Sequence, residues 1–103
     1  MLGEEYTLDI RPTFIDELDR TVEYIERTFR NYPAADKLVA DVYAAIDERL
    51  TAPLAFEPCY RPPDVTQPYY RIYVRNFTVY YVVIGKVMEV RWFRYSRSEQ
   101  PLR

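Results

Sequence analysis

Near its end the chain reads VRWFRYSRSE over residues 90–99, which sets Arg91, Arg94 and Arg97 among Trp92, Phe93 and Tyr95. Earlier, YRIYVR over residues 70–75 spaces Arg71, Tyr73 and Arg75 two apart. A guanidinium keeps its charge and presents a planar fork to two oxygens at once, so such clusters are the material of a phosphate or carboxylate clamp. Aromatic rings interleaved with them offer faces on which bases can stack, at roughly 1–3 kcal/mol each. Sheet arginines also serve as solvated or salt-bridged surface, and eleven tyrosines in one small protein must mostly cover core or partner surface. Tyr95 stands apart because it lies between Arg94 and Arg97.

Other chemistries are poorly supplied. The chain has one cysteine, Cys59, and no histidine to act as its base, so a thiol nucleophile and an internal disulfide are both set aside. Metal-ligand spacing is absent, and with only Gly3 and Gly85 there is no glycine-rich phosphate cradle. Acidic neighbours such as Asp16 and Glu17 fit the wet face of a helix. The expectation is a protein without metal or cofactor. The opening Met-Leu-Gly-Glu-Glu lacks the basic start and apolar run of a signal peptide, and no stretch approaches the roughly 18 apolar residues of a membrane span, so a cytoplasmic, membrane-free protein is expected.

Charge is unevenly divided. Residues 1–52 carry twelve acids against six bases, and residues 53–103 carry four acids against eight bases, so a net charge of −2 conceals halves of −6 and +4. A basic half points to a polyanionic or acidic partner, and ion pairing between the halves gives the same count.

The elements that must position these residues follow from periodicity. Tyr6 to Ile10 alternates as a half-buried strand and Pro12 closes it. Thr13 is placed to cap a helix in which Phe14, Leu18, Val22, Ile25 and Phe29 recur on one side. Asp16 with Arg20, Glu23 with Arg27 and Glu26 with Arg30 sit four apart on the other. Asn31-Tyr32-Pro33 breaks it, and Leu38, Val42, Ile46 and Leu50 mark a second helix ending before Pro53, so the two form an antiparallel hairpin. Residues 53–68 hold five prolines and read as a rigid loop.

Beyond the loop, residues 69–75, 77–84 and 86–95 are rich in Val, Ile, Tyr and Phe, and the short turns at Arg75-Asn76 and Gly85 make them an antiparallel meander. In its first strand Tyr70, Ile72 and Val74 share the core face, while Arg71, Tyr73 and Arg75 share the other. In the last strand either parity buries an arginine or exposes a large aromatic, so it carries a bulge or its end leaves the sheet as an edge. The whole is one α+β domain over residues 1–103, of order β-α-α-β-β-β, with the helical hairpin on one face of a small antiparallel sheet. Leu18, Val22, Ile25, Val42, Ile46, Ile72, Val74, Val79, Tyr81 and Val90 form the expected core.

That order, with YYRIYVRNFTVYYVV and the terminal VRWFRYSRSE, resembles the RelE/ParE superfamily of toxins from bacterial type II toxin-antitoxin modules over nearly the whole chain. The resemblance implies a cognate antitoxin as partner and a working surface on the exposed sheet face. Members either cleave messenger RNA on the ribosome or inhibit DNA gyrase. For an endoribonuclease it implies Arg71, Arg94, Tyr95 and Arg97 as catalytic residues, with Tyr73, Arg75 and Arg91 binding RNA. Arg71 and Arg97 match basic positions of the cleaving members, and Tyr95 falls where many have histidine. Thr78 stands where the better-known cleaving members carry arginine, a departure that favours gyrase inhibition or a silent binding protein, while the basic, aromatic sheet surface and Arg97 favour RNA. The expected function is a ribosome-dependent messenger RNA endonuclease, with gyrase inhibition or silent binding as the alternative.

Overall fold

The computed structural model describes residues 5–59 and 67–98. Its elements are β1 (Thr7–Ile10), α1 (Pro12–Phe29), α2 (Tyr32–Leu50), β2 (Tyr70–Val74), β3 (Phe77–Ile84), β4 (Val87–Tyr95) and a final 3₁₀ turn (Ser96–Ser98). The sheet order is β1-β4-β3-β2, with β2, β3 and β4 antiparallel and β1 parallel to β4. The sheet is therefore mixed where an all-antiparallel one was expected. The helical hairpin is the crossover that returns the chain, and such a long connection permits a parallel neighbour.

Local chemistry explains the helix ends. Pro12 opens α1 and Arg11 takes the N-cap position without a side-chain bond. Thr13 is thus inside the first turn, not the cap, because proline at the first helical position needs no N–H partner. Arg30 closes α1 in a left-handed conformation, φ 53°. Asn31 then caps α2, its side-chain oxygen accepting from Ala34 N–H at 3.2 Å, so the residue that breaks one helix starts the next. Of the three expected ion pairs along α1, Glu23–Arg27 forms, at 2.9 Å.

The core lies between the hairpin and one sheet face. Phe14, Leu18, Leu38, Val42 and Ile46 from the helices meet Tyr70, Ile72, Val74, Val79, Tyr81, Val83, Met88, Val90 and Phe93 from the sheet. Val22 and Ile25 pack against this core half-buried, and Phe29, aligned with them by spacing, is exposed. Phe14 sits edge-on to Phe93, ring centroids 5.8 Å apart. Val90 and Phe93 have opposite parity in a regular strand, yet both reach the core. The pairing register shifts between Tyr80 and Tyr81, which oppose Trp92 and Val90. Arg91 is the extra residue of a bulge there, so Arg91 and Trp92 are carried on the second face. Both readings of this strand hold in part, since β1 pairs with β4 only through Val90 and the rest of β4 is an edge on that side. Phe93 N–H on this edge donates to Glu17 of α1 at 2.8 Å.

Two short turns join the meander. Gly85 has φ +61°, and a Cβ there would meet nothing within 4 Å. Gly85→Ala is therefore expected to cost only the backbone preference, about 1–2 kcal/mol, read as a lower denaturant midpoint with an unchanged slope.

At the far edge a network closes the sheet against the residues after α2. One Arg49 nitrogen donates to the Arg71 carbonyl and to the Tyr81 hydroxyl, each at 3.0 Å. Tyr81 in turn donates to the Pro53 carbonyl at 2.7 Å, and the guanidinium lies 3.6 Å over the Phe56 ring. Burial raises the Tyr81 hydroxyl above its ordinary pKa of 10.0, with Arg49 opposing. A group raised in the fold contributes stability that is complete below the unfolded value and lost as pH rises through the folded one. Stability should thus fall above about pH 10, and Tyr81→Phe should flatten that alkaline limb while lowering the neutral-pH value by about 1 kcal/mol.

No helix among the described residues is long and apolar enough to cross a membrane, and no group of metal-binding side chains occurs among them.

Candidate functional site

The second sheet face, away from the helices, carries Arg71 and Tyr73 from β2, Thr78, Tyr80 and Val82 from β3, and Arg91, Trp92 and Arg94 from the bulged β4. It is less open than its composition implies. Thr78, Tyr80 and Val82 are buried, as is Tyr69 just before β2. Trp92 gathers Tyr69 and Tyr80 at centroid distances of 5.0 and 6.1 Å, making a small aromatic cluster on this side.

The arginines around it are largely occupied. Arg91 donates to Glu89 at 2.6 Å and to the Tyr69 hydroxyl at 3.2 Å. Burial works against the Arg91 charge, but these two bonds outweigh it and hold the group more firmly protonated. Arg94 lies over the Trp92 ring at 5.1 Å and pairs with Glu17 at 3.3 Å. Arg75 is at the tip of the β2–β3 turn, φ 55°, and its Nε donates to Asp41 of α2 at 3.1 Å. It is tied back towards the helices instead of lying on the second face. Asp41 and Glu17 bring the sequence's acidic half to its basic half, while Glu89 belongs to the same half as Arg91.

Arg71 and Arg97 differ. Arg71 meets the Tyr73 hydroxyl at 2.7 Å, a bond that leads the effects holding its charge more firmly, with Cys59 beside it. Its Nε is buried without a hydrogen-bond partner. Arg97 is exposed on the terminal 3₁₀ turn.

The four residues expected to act on one phosphodiester do not share one surface. Arg71 and Arg94 are two strands apart on the second face and offset by two residues in register, about 12 Å by ordinary strand geometry. Tyr95 pairs in register with Phe77 and packs on that ring at 5.6 Å, which places it on the helix side. Adjacent strand residues point to opposite faces, so Arg94 and Tyr95 are separated by the pleat itself.

Thr78 is the feature that the sequence marked without explaining. It is 1 % exposed, lies in register between Tyr73 and Arg94, and its hydroxyl meets that of Ser96 at 2.7 Å. Ser96 N–H also donates to the Asn76 carbonyl at 2.8 Å. The terminal turn is thereby fastened across β3, over the position that cleaving relatives give to arginine.

A third region was not foreseen. On the helix side, α1, the β2–β3 turn and Tyr95 enclose an apolar groove of about 670 Å³. Its signal was present in Tyr24 and Phe29, two aromatics five apart near the end of α1, but periodicity assigns Phe29 to the core.

Comparison with known proteins agrees with this architecture. Residues 8–95 match the family described as ParE toxin of type II toxin-antitoxin system, parDE. The chain belongs to this ParE toxin family. Among solved structures it is similar to a chain of the chromosomal ParDE toxin-antitoxin system from P. aeruginosa, with 15% identity and a TM-score of 0.69, covering 90% of this chain and 98% of that one. No curated protein matches.

Proposed function

We propose that this toxin acts by binding a protein target, DNA gyrase, and that a cognate antitoxin silences it in the cytoplasm. The observation that carries this reading is Thr78, which is buried and hydrogen-bonded to Ser96 where a cleaving member needs an accessible cation. The pairing of Arg75, Arg91 and Arg94 with Asp41, Glu89 and Glu17 supports it, because a guanidinium already neutralised contributes little to a phosphate clamp. So does the position of Tyr95 on the helix side. The likeness to a ParDE system favours the same choice and argues for the antitoxin.

Ribosome-dependent RNA cleavage is the second reading, favoured by Arg71 with its unpartnered Nε and by exposed Arg97. In that reading Tyr73 and Arg91 would flank the RNA, and loss of Arg97 would abolish cleavage in a folded protein. Induction of the toxin without its antitoxin separates the two. Altered plasmid supercoiling with intact transcripts supports gyrase binding, whereas transcripts cut on translating ribosomes with unchanged supercoiling reject it.

A further inference from the structure

We propose that the aromatic groove at the C-terminal half of α1 is the surface with which the toxin grips its protein target, and that its occupant is an amphipathic helix bearing apolar anchors and a carboxylate. This rests on the binding reading above and gives that reading a contact surface.

A toxin that works by occupation, without chemistry, needs a pocket that can take anchor side chains, and contact hot spots favour aromatic residues and arginine in such settings. The groove supplies both. Arg20, Tyr24, Ile25 and Phe29 of α1 form one wall, with Phe77 and Tyr95 opposite. Tyr24 and Phe29 are 59% and 62% exposed, although their rings pack edge-on at 5.8 Å. Two large aromatics held against each other in water are already positioned for a partner, so little rotamer freedom remains to be lost on binding.

The lining also defines the occupant. Among the described residues that line it, Arg20 is the only charged group, and it forms no ion pair with a described residue, so a partner carboxylate there gains a charge-assisted bond without displacing an existing one among them. The wall from Arg20 to Phe29 is itself helical, and the backbone at the opposite rim is engaged where Ser96 N–H meets the Asn76 carbonyl. The groove therefore offers mainly an apolar, aromatic lining of side chains. An amphipathic helix, whose main chain is satisfied internally, meets such a lining with apolar residues spaced three and four apart. The groove lies on the opposite side of the sheet from Arg71 and Arg91, so occupation of that face by an acidic antitoxin leaves the two surfaces separable by mutation.

The test uses Tyr24→Ser/Phe29→Ser and, separately, Arg20→Glu, with retention of fold checked by thermal melting. Exposed positions make folding of at least the single variant secure. Each protein is assayed for growth arrest on induction, for inhibition of supercoiling by purified gyrase, and for affinity to the antitoxin co-expressed from the module. The expected result is a rise of about tenfold or more in the toxin concentration needed for half-inhibition, with loss of growth arrest and unchanged antitoxin affinity. Undiminished inhibition and arrest in both variants overturns the proposal. So does loss of antitoxin binding with arrest retained, which gives the groove to the antitoxin, or loss of self-association alone, which gives it to a second copy. Should the wild-type protein arrest growth without touching gyrase, the gyrase reading fails by itself. The groove is then judged on growth arrest, its loss in the variants supporting the surface and its retention rejecting it. A wild-type protein without effect on growth rejects both.

Discussion

Replacement of Thr78 by arginine is expected to destabilise the protein by about 3–5 kcal/mol and to confer no RNA cleavage. The site is 1 % exposed, and its neighbours across the strands are Tyr73 and Arg94. A guanidinium placed there displaces the bond to Ser96 Oγ, finds a like charge directly opposite, and overfills space now closed by the terminal turn. Arg94 cannot yield its own carboxylate cheaply, because Glu17 also holds the Phe93 N–H. The measurement is a urea titration alongside Thr78→Val, which keeps the volume, loses only the hydroxyl bond, and should cost about 1 kcal/mol. Thr78→Arg within about 1 kcal/mol of wild type, with newly cut transcripts, would show that the position is open to substrate and that the closed-face account is wrong.

Arg49→Met should be the other large effect, about 2–4 kcal/mol, or a fall in Tm of roughly 10–20 °C for a domain of this size. Methionine retains the apolar stem but none of the donors. The Arg71 carbonyl, on the outer edge of β2, loses the bond at 3.0 Å, Tyr81 loses its second partner, and Phe56 loses the cation stacked on its ring. Bonds from a charged donor contribute more than neutral ones, and the groups left behind are partly enclosed. Arg49→Lys keeps the charge without the fork and should recover part of the loss. A double-mutant cycle with Tyr81→Phe should give a coupling of about 0.5–3 kcal/mol, as for residues sharing one network. Tm values within a few degrees of wild type for Arg49→Met would mean that the network adds nothing to the fold.

What was legible in the sequence is what short-range patterns encode. The spacing of Leu38, Val42 and Ile46 placed α2 on the core, and alternation through Tyr70, Ile72 and Val74 gave the buried face of β2. The parity conflict along residues 89–94 pointed to a bulge or to an edge that leaves the sheet without deciding between them. Other features depended on long-range geometry. Nothing local joins Arg75 to Asp41, Arg94 to Glu17, or Arg49 to Tyr81, yet these contacts decide which cations remain available. The direction of β1 was likewise hidden, since alternation is the same in parallel and antiparallel strands. The grouping of Tyr95 with Arg94 is different in kind. Adjacent residues in a strand face opposite ways, and that rule was available when closeness in sequence and the family resemblance drew the two together. Phe29 shows the converse limit: it fits the helical period, but it lies on the last turn of α1, where the open groove lies beside it instead of the core.

Supercoiling of relaxed plasmid by purified DNA gyrase, with and without the purified toxin, tests the binding mechanism most directly. The fold, the closed second face and the occupied arginines together predict that the toxin alone halts supercoiling, that an equimolar amount of its antitoxin restores it, and that messenger RNA on translating ribosomes treated with the same toxin stays intact. Unimpaired supercoiling together with cut messenger RNA would contradict the mechanism and return the exposed Arg97 and Arg71, with its unpartnered Nε, to the centre of an RNA-cleaving site.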